Sequence, residues 1–140
     1  MKTLFAITLA ALAISTCSCW GDKKNEYTEN REAAEVEGQT CLTTAREALE
    51  KKEFSAAREA IDKMRKDFPL AMNAREEGIL LLDSINLFEA DAMLKKVNAL
   101  LRDSATVNKD SLQIEFDDLF QKSKFYKRKL EHDIKERKTH

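Results

Sequence analysis

The sequence predicts an all-α protein, and three observations carry the prediction. Residues 27–140 hold one proline and two glycines among abundant Ala, Leu, Glu and Lys, a composition that favours helices. Apolar residues recur at helical spacing rather than alternating, as Val36, Cys41, Ala45, Ala48 and Leu49 do at steps of one to five residues along one face. The chain also matches itself at an offset of 33 residues, a period of stacked helical pairs. The expected layout is a signal segment at 1–16, a tether at 17–29, a helical repeat region at 30–102, and a linker with a long C-terminal helix at 103–140.

The first segment starts with Lys2, continues as an uncharged apolar run over residues 4–14, and ends in the small residues Ser15, Thr16 and Ser18, which is the build of a secretory signal. A run of about eleven residues is too short to cross roughly 30 Å of hydrocarbon as a helix. Ile14, Ser15, Thr16 and Cys17 then resemble the bacterial lipobox, in which an apolar residue and two small residues precede a cysteine that receives lipid. Thr16 departs from that pattern, since Gly, Ala or Ser is usual before the cysteine. The competing register places Ser18 before Cys19 but loses the large apolar residue.

The resemblance implies a lipoprotein tethered to the membrane through Cys17, with Cys19 as the alternative and acyl chains of the palmitate type as the anchor. Each buried methylene adds about 0.8 kcal/mol, so several chains on one cysteine hold firmly. Plain cleavage after Ala13, with Ala11 and Ala13 as the small pair, would leave both cysteines unlipidated. Whichever early cysteine escapes lipid could pair with Cys41 in an oxidising compartment, but Cys41 falls on the apolar stripe, where it serves as a small hydrophobe. The formal net charge is −1, and losing Lys2 with the signal leaves about −2, so no global charge draws the chain to nucleic acid. Roughly 120 remaining residues suffice for one modest domain.

Within the tether, residues 22–29 are polar and lack periodicity. The first helix follows. Ser55 is placed to cap a second helix running to about Phe68, where Pro69 stops it. At the offset of 33, Ala45 aligns with Gly78, Ala48 with Leu81, Phe54 with Leu87, Ala57 with Ala90, Ile61 with Leu94 and Met64 with Val97. Each pair keeps its size class or its apolarity. No T-P-L-H element occurs, which excludes ankyrin repeats.

The spacing Ala45, Phe54, Ala57, Ile61, Met64, Pro69 resembles the tetratricopeptide repeat, and Gly78, Leu87, Ala90, Leu94 and Val97 follow it a second time. Arg102 stands where the second proline belongs, Thr44 and Glu77 replace the leucine before the small residue, and the early tryptophan is missing from both units. The resemblance implies two antiparallel helical hairpins, with Ala45 and Gly78 admitting a neighbouring helix and Phe54 and Leu87 filling the opening between paired helices.

Residues 103–109 are polar, and Asp110 with Gln113 three positions on reads as a capping signal for a last helix reaching about Arg137. Leu112, Phe116, Leu119, Ser123, Tyr126 and Leu130 alternate steps of four and three, the spacing of a heptad seam. That seam is suited to shielding Leu81, Leu82, Ile85, Leu94 and Val97 on the last hairpin, or to closing against a second copy of the chain.

No catalytic constellation converges: His132 and Asp133 are neighbours on a helix and diverge by about 100°, and no H-E-x-x-H occurs. From Lys122 to Lys138 eight Lys or Arg stand against Glu131, Asp133 and Glu136, an excess of about five positive charges suited to anionic lipid or an acidic partner. The sequence therefore leads to the expectation of a non-enzymatic, lipid-anchored adaptor of a Gram-negative envelope, at the outer membrane facing the periplasm. It would need no cofactor or metal, bind another envelope protein and not nucleic acid. The competing expectation is a homo-oligomeric helical spacer using the C-terminal seam.

Overall fold

The computed structural model describes residues 19–103 and 108–139. Within them the chain forms four helices and no strand: α1 (Cys19–Glu50), α2 (Phe54–Asp67), α3 (Met72–Arg102) and α4 (Lys109–Thr139). The signal segment, Cys17 and Ser18 lie outside the described residues. Cys19 opens α1, so residues 22–29 continue the helix instead of forming an irregular tether. The Lys and Glu residues there carry adequate helix propensity, and a formed helix downstream propagates more easily than a new one nucleates.

Three residues turn α1 into α2. Lys52 takes φ 63, its N–H reaches the Leu49 carbonyl at 2.9 Å, and the Glu53 N–H reaches the Ala48 carbonyl at 2.9 Å. This is a Schellman closure with a lysine where glycine is usual. Ser55 is not the cap of α2: Glu53 holds that position and makes no side-chain cap bond. α2 buries Ala57, Ile61 and Met64 and ends at Asp67, ahead of Pro69.

The turn expected near Leu87 does not form, and α3 continues unbroken for 31 residues. Residues 82–90 offer neither glycine nor proline to break it. Continuing the helix also lets Leu87, Ala90, Leu94 and Val97 meet α4, so the hairpin partner of α3 comes from residues 109–139. Leu80, Asp83, Leu87, Ala90, Leu94, Val97 and Leu101 repeat at steps of three and four, as do Leu112, Phe116, Leu119, Ser123, Tyr126 and Leu130 on α4. All of these are buried or half-buried, which defines the packed seam of an antiparallel pair. Polar contacts fix its register: Arg137 donates to the Glu76 carbonyl at 2.5 Å, Lys129 to Asp83, and Ser123 Oγ to Asp91 Oδ1 at 2.5 Å.

α4 starts from an Asn108 cap, whose Oδ1 accepts the Ser111 N–H at 3.4 Å. Asp110 does not cap it, and Gln113 turns forward to Asp117 at 3.0 Å.

The main core lies between α1, α2 and the first half of α3, where Leu42, Ala45, Ile61, Met64, Ala74 and Ile85 are fully buried. Leu81 and Leu82 pack against the same core, so these two and Ile85 join the α1–α2–α3 core. Val36, expected on the apolar face of α1, is exposed; Ala34, Gly38, Cys41 and Leu42 form that face instead. Cys41 is buried in the core as a free thiol.

Candidate functional site

α3 carries two stripes on nearly opposite sides. One is the α4 seam. The other, Ala74, Gly78, Leu81 and Ile85, faces α1 and α2, and the same three–four spacing carries it on to Phe88, Ala92 and Lys95. Its cover runs out because α1 stops at Glu50 and α3 does not. Over three residues the exposure rises from 0% at Ile85 to 53% at Phe88. A groove of about 740 Å³ results, with Leu49, Phe54, Phe88 and Ala92 as its apolar floor and Arg46, Glu50, Lys52, Asp91 and Lys95 as its charged rim.

The rim charges differ in freedom. Arg46 is tied to Glu77 at 2.8 Å, and Asp91 accepts from Ser123. Glu50, Lys52 and Lys95 enter no ion pair among the described residues. An apolar floor with a mixed polar rim can receive apolar side chains while its edge meets polar groups.

Four polar ties hold the helices that shape this groove. Glu35 of α1 caps α3, accepting the Ala74 N–H at 2.6 Å and the Asn73 N–H at 3.1 Å, so a carboxylate meets the positive end of a helix. Gln39 and Arg46 of α1 both bind Glu77, at 3.1 and 2.8 Å. Arg58 of α2 donates to Asn86 at 2.8 Å and to Glu89. Lys129 bridges Asp83 and Asp133, and it is the hydrogen bonds it donates to Asp133 and then to Asp83 that raise its ammonium above the usual 10.5. The hydrogen bonds from Lys129 and His132 lower the Asp133 carboxyl below its usual 3.8.

The residues singled out in sequence fall into two groups. Ala45, Ala48, Ala57, Ile61, Met64 and Gly78 come together in the α1–α2–α3 core, with Phe54 and Leu81 at its edge and Pro69 exposed after α2. Leu87, Ala90, Leu94 and Val97 line the α4 seam instead. A Cβ on Gly78 would meet Met64 Cε at 2.7 Å and Leu42 Cδ2 at 3.5 Å. The least yielding approach is at Gly38, where a Cβ would meet those of Ala71 and Ala74 at 2.7 and 2.8 Å, atoms fixed to the backbone. Gly38 was open to notice as a mid-helix glycine; Glu35, Arg58 and Phe88 carry no local signal, because their partners lie on other helices.

Among the described residues no group of three or more His, Cys, Asp or Glu is placed to hold a metal ion, and no helix is long and apolar enough to cross a membrane. Comparison with protein families, characterised proteins and solved structures finds no match to the chain.

Proposed function

We propose that the chain is a lipid-anchored helical adaptor of a bacterial envelope, held by Cys17 or Cys19 and binding a partner protein in the groove beside Phe88. The uncovered continuation of the α3 stripe carries this proposal, since a large aromatic side chain half in solvent above an apolar floor suits a partner's side chains. The stretch from Ala45 to Pro69 supplies a tetratricopeptide-like hairpin, and α3 with α4 forms the platform next to it. The alternative, self-association through the seam, is less favoured because α3 of the same chain already occupies Phe116, Leu119 and Tyr126.

A photo-crosslinking side chain at Phe88 or Ala92, in cells, tests the groove, with exposed Ala56 on α2 as control. One product of defined mass from the first two sites and none from Ala56 supports the adaptor. A product at twice the chain's own mass assigns the groove to self-association, and equal labelling at all three sites overturns the groove. The anchor has a separate test: Cys17→Ser with Cys19→Ser should move the protein out of the membrane fraction, and a double variant that still floats with lipid refutes it.

A further inference from the structure

We infer that the outer face of α4 seats on an anionic phospholipid surface. The cations of this helix divide by whether they already have a partner. Three are engaged within the molecule: Lys122 with Asp118 of the same helix at 2.7 Å, Lys129 with Asp83 and Asp133, and Arg137 with the Glu76 carbonyl. The others, Lys124, Lys127, Arg128, Lys135 and Lys138, are exposed and enter no ion pair among the described residues, and from residue 121 to 138 only Glu131 and Glu136 oppose them as exposed acids. Lys124 lies 4.9 Å from the Phe120 ring centroid, a contact that leaves its charge uncompensated.

An exposed aromatic side chain borders one of these charges, Arg128. Phe125 is 58% exposed, braced edge-on by Tyr126 at 5.3 Å, and borders a shallow cavity of about 580 Å³ with Gln121, Arg128, Lys129 and His132 on its walls. Cations spaced over roughly 20 Å of helix with a phenylalanine between them match a surface of phosphate headgroups over hydrocarbon. An acidic protein would need a bounded groove to select it, and the cavity here is open and shallow.

The position of this face in the molecule agrees. Arg137 lies beside Glu76 and Glu35 caps Ala74, so the basic end of α4 and the projecting first half of α1 lie at the same end of the molecule. An N-terminal anchor would bring that end to the bilayer. The contact itself goes beyond the adaptor role and depends on neither the groove nor lipidation.

The test uses the full chain with Cys17→Ser, Cys19→Ser and Gln121→Cys, the last carrying an environment-sensitive fluorophore. A second chain labelled at Ala56→Cys is the control. Phosphatidylglycerol vesicles should shift the α4 label to the blue, phosphatidylcholine vesicles should not, and high salt should reverse the shift. Charge reversal at Lys127, Arg128 and Lys135 to Glu should weaken vesicle affinity at least about tenfold, and Phe125→Ser should weaken it without removing the salt dependence. Reversal of Lys96 and Arg102 on α3, both exposed and outside the groove, controls for net charge and should change affinity little. Equal shifts with neutral vesicles, no shift at all, or equal loss in the α3 control overturn the inference. Saturation by inorganic phosphate alone would assign the face to a free anion, and a shift with polyglutamate but not with vesicles would assign it to an acidic protein; either result overturns it.

Discussion

Lys129 of α4 reaches Asp83 of α3, the one charged side chain buried among the described residues, at 5% exposure. Asp83 occupies a seam position that an aliphatic residue would fill in a dry coiled coil, so it fixes the register of the pair more than it adds stability. Removing the lysine leaves a carboxylate without its partner in a packed interface. Lys129 is itself 37% exposed and partly screened by solvent, so Lys129→Met should lower stability by about 1 to 2 kcal/mol in urea unfolding, whereas Asp83→Leu with Lys129→Leu should recover most of that loss. A double variant no better than the single would mean that Asp83 is solvated in the native protein.

The same cluster sets the pH response. Asp133, lowered by Lys129 and then His132, contributes stability above the ordinary carboxylate value of 3.8, and this is lost as pH falls through its lower native value. Lys129, raised by Asp133 and then Asp83, contributes fully below 10.5 and loses that contribution as pH rises through its higher native value. Its share of the melting temperature should therefore stay level from about pH 5 to 9, and the Lys129→Met variant should lose the alkaline fall. A Lys129-dependent change near neutrality would contradict the geometry.

Helix crossings give a graded series. Gly38→Ala should cost about 1 to 3 kcal/mol, because both opposing atoms are alanine Cβ atoms fixed to the backbone. Gly78→Ala should cost less, since Met64 Cε can move and alanine gains about 0.5 to 1 kcal/mol of helix propensity. Ala45→Leu should resemble Gly38→Ala, and exposed Ala56→Leu should be nearly neutral. Equal penalties at buried and exposed sites would refute this packing.

Two local devices act in opposite directions. Glu35→Ala removes the cap of α3 and should cost about 1 kcal/mol, with Glu35→Gln retaining part of it. Lys52→Gly relieves a left-handed lysine and should add on the order of 1 kcal/mol, measured as a raised melting temperature.

Truncation after Arg102 removes α4 and uncovers Leu80, Leu87, Leu94 and Val97. The loss should be several kcal/mol, at about 1.5 to 3 per buried side chain, with hydrophobic dye binding as a second readout. A truncated chain that melts unchanged and binds no dye would show α4 to be dispensable for the fold.

The helical class, the stop before Pro69 and the C-terminal seam were legible because each follows from residues close in sequence. The second hairpin was misplaced for a physical reason. Ala90, Leu94 and Val97 keep three–four steps whether a helix packs in a repeat or in a coiled coil, so periodicity alone cannot say that α3 turns at Leu87. Absence of a breaker near Leu87 was the missing discriminator. Phe88 reads in sequence as one more apolar position, and becomes a groove only because α1 ends where α3 continues.

The unbroken start of α1 gives the molecule a set reach. At 1.5 Å per residue its 32 residues span about 48 Å, with the projecting part at one end and the groove bordered by Leu49 and Glu50 at the other. A coil of the same number of residues would let its cargo sample every height up to full extension. If the proposed anchor at Cys17 or Cys19 holds the chain, such a rod would confine the groove to a narrow shell of distances from the fastening point, and the proposed partner would be restricted by its height as well as by its surface.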